Sequence, residues 1–139
     1  MPSAANLFDA ATRHHQDGRL AEAEALYRQA LAADAVHTGS LHGLGLIAHA
    51  TGHFDVAARL FAAVLAIQPD DAGAQHALAY TLHAQGAHDE SAVHYARALT
   101  LAPGDARIHN NLGNLAKDRG DFARALDSYT QAIALDPGL

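Results

Sequence analysis

Histidine is the residue this chain offers for chemistry: there are 11 in 139 residues, and no cysteine. Their placement is regular. His15, His49 and His83 recur at one constant interval, and the next step lands on Lys117. His42 and His76 make a second row, flanked in the same register by Phe8 and Asn110. A neutral imidazole can hydrogen-bond or ligate a metal, and it gains charge at about pH 6. Positions 42, 46 and 49, like 76, 80 and 83, are spaced to share one helix face. Catalytic chemistry finds no comparable support. The serines are few and lack a nucleophile elbow, there is no glycine-rich phosphate loop, and the carboxylates read as caps and surface groups.

The elements that must position these side chains follow from the same constant step. The glycines Gly18, Gly52, Gly86 and Gly120 fall on one another, as do the rings Tyr27, Phe61, Tyr95 and Tyr129. Small residues recur at Ala30, Val64, Ala98 and Ala132, and prolines at Pro69, Pro103 and Pro137, with Ala35 in the first copy. A fixed period in the range of about 20–50 residues marks a repeat architecture. The repeats are 4–37, 38–71, 72–105 and 106–139. Each reads as two amphipathic helices around its glycine, the pairs being about 4–17 and 20–33, 38–51 and 54–67, 72–85 and 88–101, 106–119 and 122–135. Ser3, Asp71, Asp105 and Asp121 sit where helix N-caps belong. The link Asp34–His37 lacks the proline, so a less defined helix end is expected there. Gly45, Gly113, Ala11 and Ala79 should let the helices of a repeat approach closely, met by Ala23, Ala57, Ser91 and Ala125 from the other helix. The four rings should plug the space between one repeat and the next.

Composition narrows the function. Half the residues are hydrophobic, alanine is abundant, and the net charge is −6 with histidines neutral. Eight of the nine basic residues are scattered arginines rather than a basic stripe, so no nucleic-acid footprint is expected. No apolar run reaches the length of a membrane span. Residues 1–3 leave no room for a signal sequence before helix begins, and the lack of cysteine fits a cytoplasmic setting.

The fourth copy, with Leu112-Gly113, Gly120, Ala125, Tyr129, Ala132 and Pro137 in register, resembles the tetratricopeptide repeat. The resemblance implies an all-α, right-handed superhelical solenoid of four helix-turn-helix repeats, eight helices in one domain over 1–139. It also implies a non-enzymatic protein-interaction module that needs no cofactor or metal and binds a protein or extended peptide in a concave groove lined by the first helices. Carried over by position, the groove residues are Phe8, Thr12, His15, His42, Leu46, His49, His76, Tyr80, His83, Arg107, Asn110, Asn111, Asn114 and Lys117. The histidines are then neutral, exposed groove residues that meet water or peptide. Neighbouring first helices about 10 Å apart are too far for them to converge on one metal. A groove whose imidazoles charge together is the alternative. A clamp for chaperone tails, which needs Lys or Arg and Asn in this family, would fall on His42, Leu46, Ala77, Arg107 and Asn111. Only Arg107 could serve, so that ligand is not expected.

Repeat four and the opening HHQDGRLAEAEALYRQALAAD are also similar to the arrays of bacterial O-linked N-acetylglucosamine transferase-like proteins, in which asparagines hold a polypeptide backbone. Asn111 and Asn114 fit that role. The chain would then be the targeting arm of a larger glycosyltransferase. Leu126, Tyr129, Ile133 and Leu135 have no following helix to cover them. A fragment cut at a repeat boundary is expected, or a scaffold that self-associates end to end.

Overall fold

Eight α-helices and no strands make up the computed structural model, which describes all residues, Met1–Leu139. They are α1 (Ala4–Gln16), α2 (Leu20–Ala33), α3 (Thr38–Ala50), α4 (Phe54–Ile67), α5 (Ala72–Ala84), α6 (His88–Leu101), α7 (Ala106–Asp118) and α8 (Phe122–Leu135). Odd-numbered helices are the first of each pair and end slightly earlier than the periodicity suggests. The reason is the turn. Asp17, Thr51 and Arg119 reach ψ of 0° to 8°, and the glycine after each enters the left-handed region, at φ 78° for Gly18 and 81° for Gly52. Arg19 N–H then returns to the His14 carbonyl at 2.9 Å and Gly18 N–H to His15 at 3.0 Å, satisfying two orphan carbonyls. The same pair of bonds closes α3, α5 and α7.

Helix starts are set by side-chain caps. Ser3 Oγ accepts from Asn6 N–H, and Asp71, Asp105 and Asp121 accept from the backbone of Ala74, Arg107 and Arg124. The link expected to be poorly defined is capped as well. His37 Nδ1 accepts from Ser40 N–H at 3.2 Å, doing for α3 what aspartate does for α5 and α7. The Ser40 hydroxyl lies 2.9 Å from the same nitrogen, and the Asp34 carboxylate accepts from Val36 N–H.

The chain divides into two compact units, Met1–Pro69 and Asp70–Leu139, each holding two helix pairs. In the first, α1 packs on α2, α2 on α3 and α3 on α4; the α1 backbone also comes close to α3, whereas the α2 and α4 backbones stay further apart. The second unit repeats this order with α5 to α8. Within each unit the first helices therefore lie close and the second helices splay. Ala11, Ala23, Ala57 and Ala79 are fully buried, as their small size requires at a close crossing. A Cβ at Gly45 would lie 2.5 Å from the Phe61 ring, and one at Gly113 would lie 2.6 Å from Tyr129. Ser91 replaces the alanine of the other repeats at no structural cost, because its hydroxyl donates to the buried Ala79 carbonyl at 2.7 Å. The rings do bridge repeats within a unit: Tyr27 of α2 lies against Gly43 of α3, where a Cβ would collide with it. Tyr129 is less covered than its three counterparts. No helix is long and apolar enough to cross a membrane.

Candidate functional site

The first helices carry every groove residue singled out from the sequence, and each unit builds its face differently. In the first unit Phe8, Thr12 and His15 of α1 and His42 and Leu46 of α3 surround one open pocket of about 320 Å³, together with Gln16, Tyr27, Gly39 and Gly43. Its walls are rings already packed against one another. Phe8 and Tyr27 have centroids 6.0 Å apart at 45°, and His15 meets Tyr27 edge-on at 5.9 Å. His15 Nδ1 is 3.1 Å from the Tyr27 hydroxyl, and Thr12 donates its hydroxyl to the Phe8 carbonyl. His49 lies further along α3 and packs on Phe54, with centroids 5.0 Å apart.

The face of the second unit is polar and cross-linked. The Asn111 amide donates to His76 Nε2 at 2.8 Å, so the proton of that imidazole sits on Nδ1. Burial holds His76 below its ordinary pKa, with the nearby Arg107 charge adding to the effect and Asp105 opposing it. A neutral His76 is what the Asn111 bond needs. His83 donates to the Asp118 carboxylate at 2.6 Å, which holds that carboxyl below its usual range. Arg107 is tied to Asp105 through two of its side-chain nitrogens, at 3.1 and 2.9 Å. Asn114 accepts from the Tyr129 hydroxyl. Tyr80 stands out from α5, nearly half exposed.

The expected picture of exposed imidazoles needs correcting on this geometry. His15, His42, His49, His76 and His83 are all half-buried, and each covers a ring of its own unit. His42 lies over Phe61 and His76 over Tyr95, in both cases the ring inside the second helix of the same repeat. His49 and His83 instead cover Phe54 and His88, the residues that open those second helices. An imidazole is flat and amphipathic enough to roof an aromatic core while facing the groove. Asn111 and Asn114 are likewise engaged inside the unit rather than waiting for a backbone. No group of three or more histidine or acidic side chains lies close enough to hold a metal ion.

Three features escaped the sequence reading. The cap of α3 is the His37 imidazole, with no aspartate or serine at that position to find. The pair of Gln75 and His94, 2.7 Å apart, and the bond from His109 to the Pro103 carbonyl depend on packing between helices. A larger cleft of about 400 Å³ lies on the other side of the first unit, lined by Leu20, Leu44, Ile47, Val56 and Leu60 among others. Its counterpart at the same register in the second unit is lined by Leu112, Leu115, Arg124 and Ser128 among others. Both lie where the second helices splay; they share an apolar floor, Leu44, Ile47 and Ala48 against Leu112, Leu115 and Ala116, and differ in the residues the second helices add. The first-helix pocket is the better candidate because it gathers residues singled out from the sequence, Phe8, Thr12, His15, His42 and Leu46.

Comparison with known proteins gives a consistent answer about fold. Two family models described as tetratricopeptide repeat match residues 42–106 and 106–139. No curated protein matches. Among solved structures, a crystal structure of MamA has a TM-score of 0.86 at 16% identity, covering 96% of this chain and 78% of that one. MamA from Desulfovibrio magneticus RS-1 has a TM-score of 0.87 at 18% identity, with 97% and 76% covered. The APC/C hetero-tetramer Cut9-Hcn1 has a TM-score of 0.94 at 16% identity, covering all of this chain and 28% of that one. At these identities the likeness is one of fold. The matches give the repeat itself and not the narrower likeness to O-linked N-acetylglucosamine transferase arrays, and they favour neither the glycosyltransferase arm nor the scaffold.

Proposed function

We propose that this chain, which belongs to the tetratricopeptide repeat family and is a protein-interaction module, binds an extended segment of a partner protein along the faces of its first helices. One observation carries the reading. Leu46 and Tyr80 hold the same place in α3 and α5, one repeat apart, and are 42% and 47% exposed. They are the only large apolar side chains left exposed on any first helix. Within each unit, bonds such as His15 to Tyr27 and Asn111 to His76 hold polar side chains of the first helices in place before a ligand arrives. Preorganisation of that kind lowers the ordering cost of association. In the second unit Asn110 supplies an amide and Lys117 a positive charge, while Arg107, Asn111 and Asn114 are engaged with Asp105, His76 and Tyr129.

The test uses linear peptides selected from a random library on the immobilised protein. Selected peptides should bind the wild type and lose at least tenfold in affinity to Leu46→Glu combined with Tyr80→Ala, at an unchanged melting temperature. Equal affinity for the double variant removes the first-helix faces as the site. Self-association is a second reading, supported by α8, where Phe122, Leu126 and Ile133 stay more than half exposed. Light scattering should then report a mass that rises with concentration and reverts with Leu126→Glu. A constant monomer mass ends it.

A further inference from the structure

We infer that the pocket between α1 and α3 takes an uncharged, ring-bearing side chain of the bound segment; this rests on the peptide-binding reading above and narrows it. The lining of Phe8, Thr12, His15, Tyr27, His42 and Leu46 is completed by Gln16, Gly39 and Gly43 and contains no Asp, Glu, Lys or Arg. A charged guest would leave water without gaining a partner of opposite sign, which is unfavourable. The same register in the second unit shows the contrast. Phe8, Thr12, Gly39, His42, Gly43 and Leu46 correspond, two repeats on, to His76, Tyr80, Arg107, Asn110, Asn111 and Asn114. One backbone plan thus carries an apolar, ring-walled pocket in the first unit and amides with a guanidinium in the second.

Rings are favoured over aliphatic guests by how the walls are made. A Cβ at Gly39 would come within 2.8 Å of the Phe8 ring, and one at Gly43 would strike Tyr27. Glycine at both positions lets the two rings press onto α3, and they meet there at 45°. His42 approaches from the same helix, itself tilted at 60° on Phe61. Aromatic pairs gain from tilted and edge-to-face contact with centroids about 4.5–7 Å apart. A guest ring would extend a cluster that already has this geometry. Leu46, also in the lining, adds an exposed aliphatic surface.

The experiment is an amide ¹H–¹⁵N titration of the full chain with four blocked pentapeptides, acetyl-Ala-Ala-X-Ala-Ala-amide, where X is Phe, Leu, Lys or Ala. The Phe peptide should shift Gly39, Gly43 and Leu46 saturably, with a Kd of about a millimolar, the scale for one anchored side chain. It should bind at least threefold more tightly than the Leu peptide, and the Lys and Ala peptides should not saturate. Leu46→Glu should abolish the Phe titration, and Arg59→Ala, at an exposed position of α4 outside that lining, should leave it unchanged. Lys binding as well as Phe, Leu matching Phe, or shifts scattered away from the pocket each overturn the inference. If the Phe peptide misses the pocket while library peptides still require Leu46 and Tyr80, this inference fails and the broader reading stands. If both requirements vanish, both fail.

Discussion

Single side chains decide how tightly the repeats close. Gly45 and Gly113 hold equivalent places in α3 and α7, and an added Cβ at either would lie within 2.6 Å of a ring. Their surroundings differ. Phe61 is 1% exposed and cannot withdraw, whereas Tyr129 is only half-buried and has space outward. Gly45→Ala should therefore destabilise by about 1–3 kcal/mol through overpacking, less the gain of about 1 kcal/mol from alanine in a helix. In Gly113→Ala the gain should nearly cancel a smaller strain. Melting curves of the two variants check this: an equal loss at both sites would show that ring mobility is irrelevant. Histidine shows the limit of reading residues from spacing. The periodic rows are plain in the sequence, and so is their place on the first helices. Which ring each imidazole covers is not, because that depends on how the helices cross and not on the interval between residues.

Helices in this chain owe their ends to local chemistry and their faces to packing. Each first helix stops at a glycine with positive φ, and the even-numbered helix starts just beyond it. Caps at α3, α5 and α7 are a histidine and two aspartates in one structural role. Removal of a cap costs about 1 kcal/mol. His37→Ala and Asp71→Ala should each lower stability by that order in urea titrations. His37→Asp should retain the wild-type value at neutral pH, since a carboxylate serves in the same place elsewhere. A loss with His37→Asp as large as with His37→Ala would mean that the contact of His37 with the Phe8 ring, at 5.1 Å, outweighs the cap. The serine and aspartate caps are legible from residue type. The His37 cap is not, because imidazole is a rare cap and its role rests on which nitrogen faces the Ser40 N–H.

At the scale of the molecule, the imidazoles couple stability to pH. Burial holds His49, His76 and His94 below their ordinary pKa of 6.5, so the folded chain binds fewer protons than the unfolded chain just below that pH. Their contribution is fully present above pH 6.5 and is lost as the pH falls through the folded values. Asp105 and Asp118 sit below their ordinary 3.8, so their contribution survives the first step and is lost only in stronger acid. Calorimetry should find the melting temperature constant from about pH 8 to 7 and falling from about pH 6.5 downward. His76→Asn should shrink that fall. A melting temperature that rises on acidification through this window would reverse the assigned sign.

The sequence alone determined the all-α repeat, its constant period, the helix ends almost to the residue and the family, since turn glycines, caps and small residues act locally and recur in register. The tertiary structure decided which groups on the first-helix faces remain open. It turned most of the expected free ligands into roofs and cross-links, and it gathered Phe8, Tyr27, His42 and Leu46 around one pocket. Those outcomes depend on side chains from different helices meeting in space, and a periodic sequence specifies that they share a face without specifying which of them stay available to a partner.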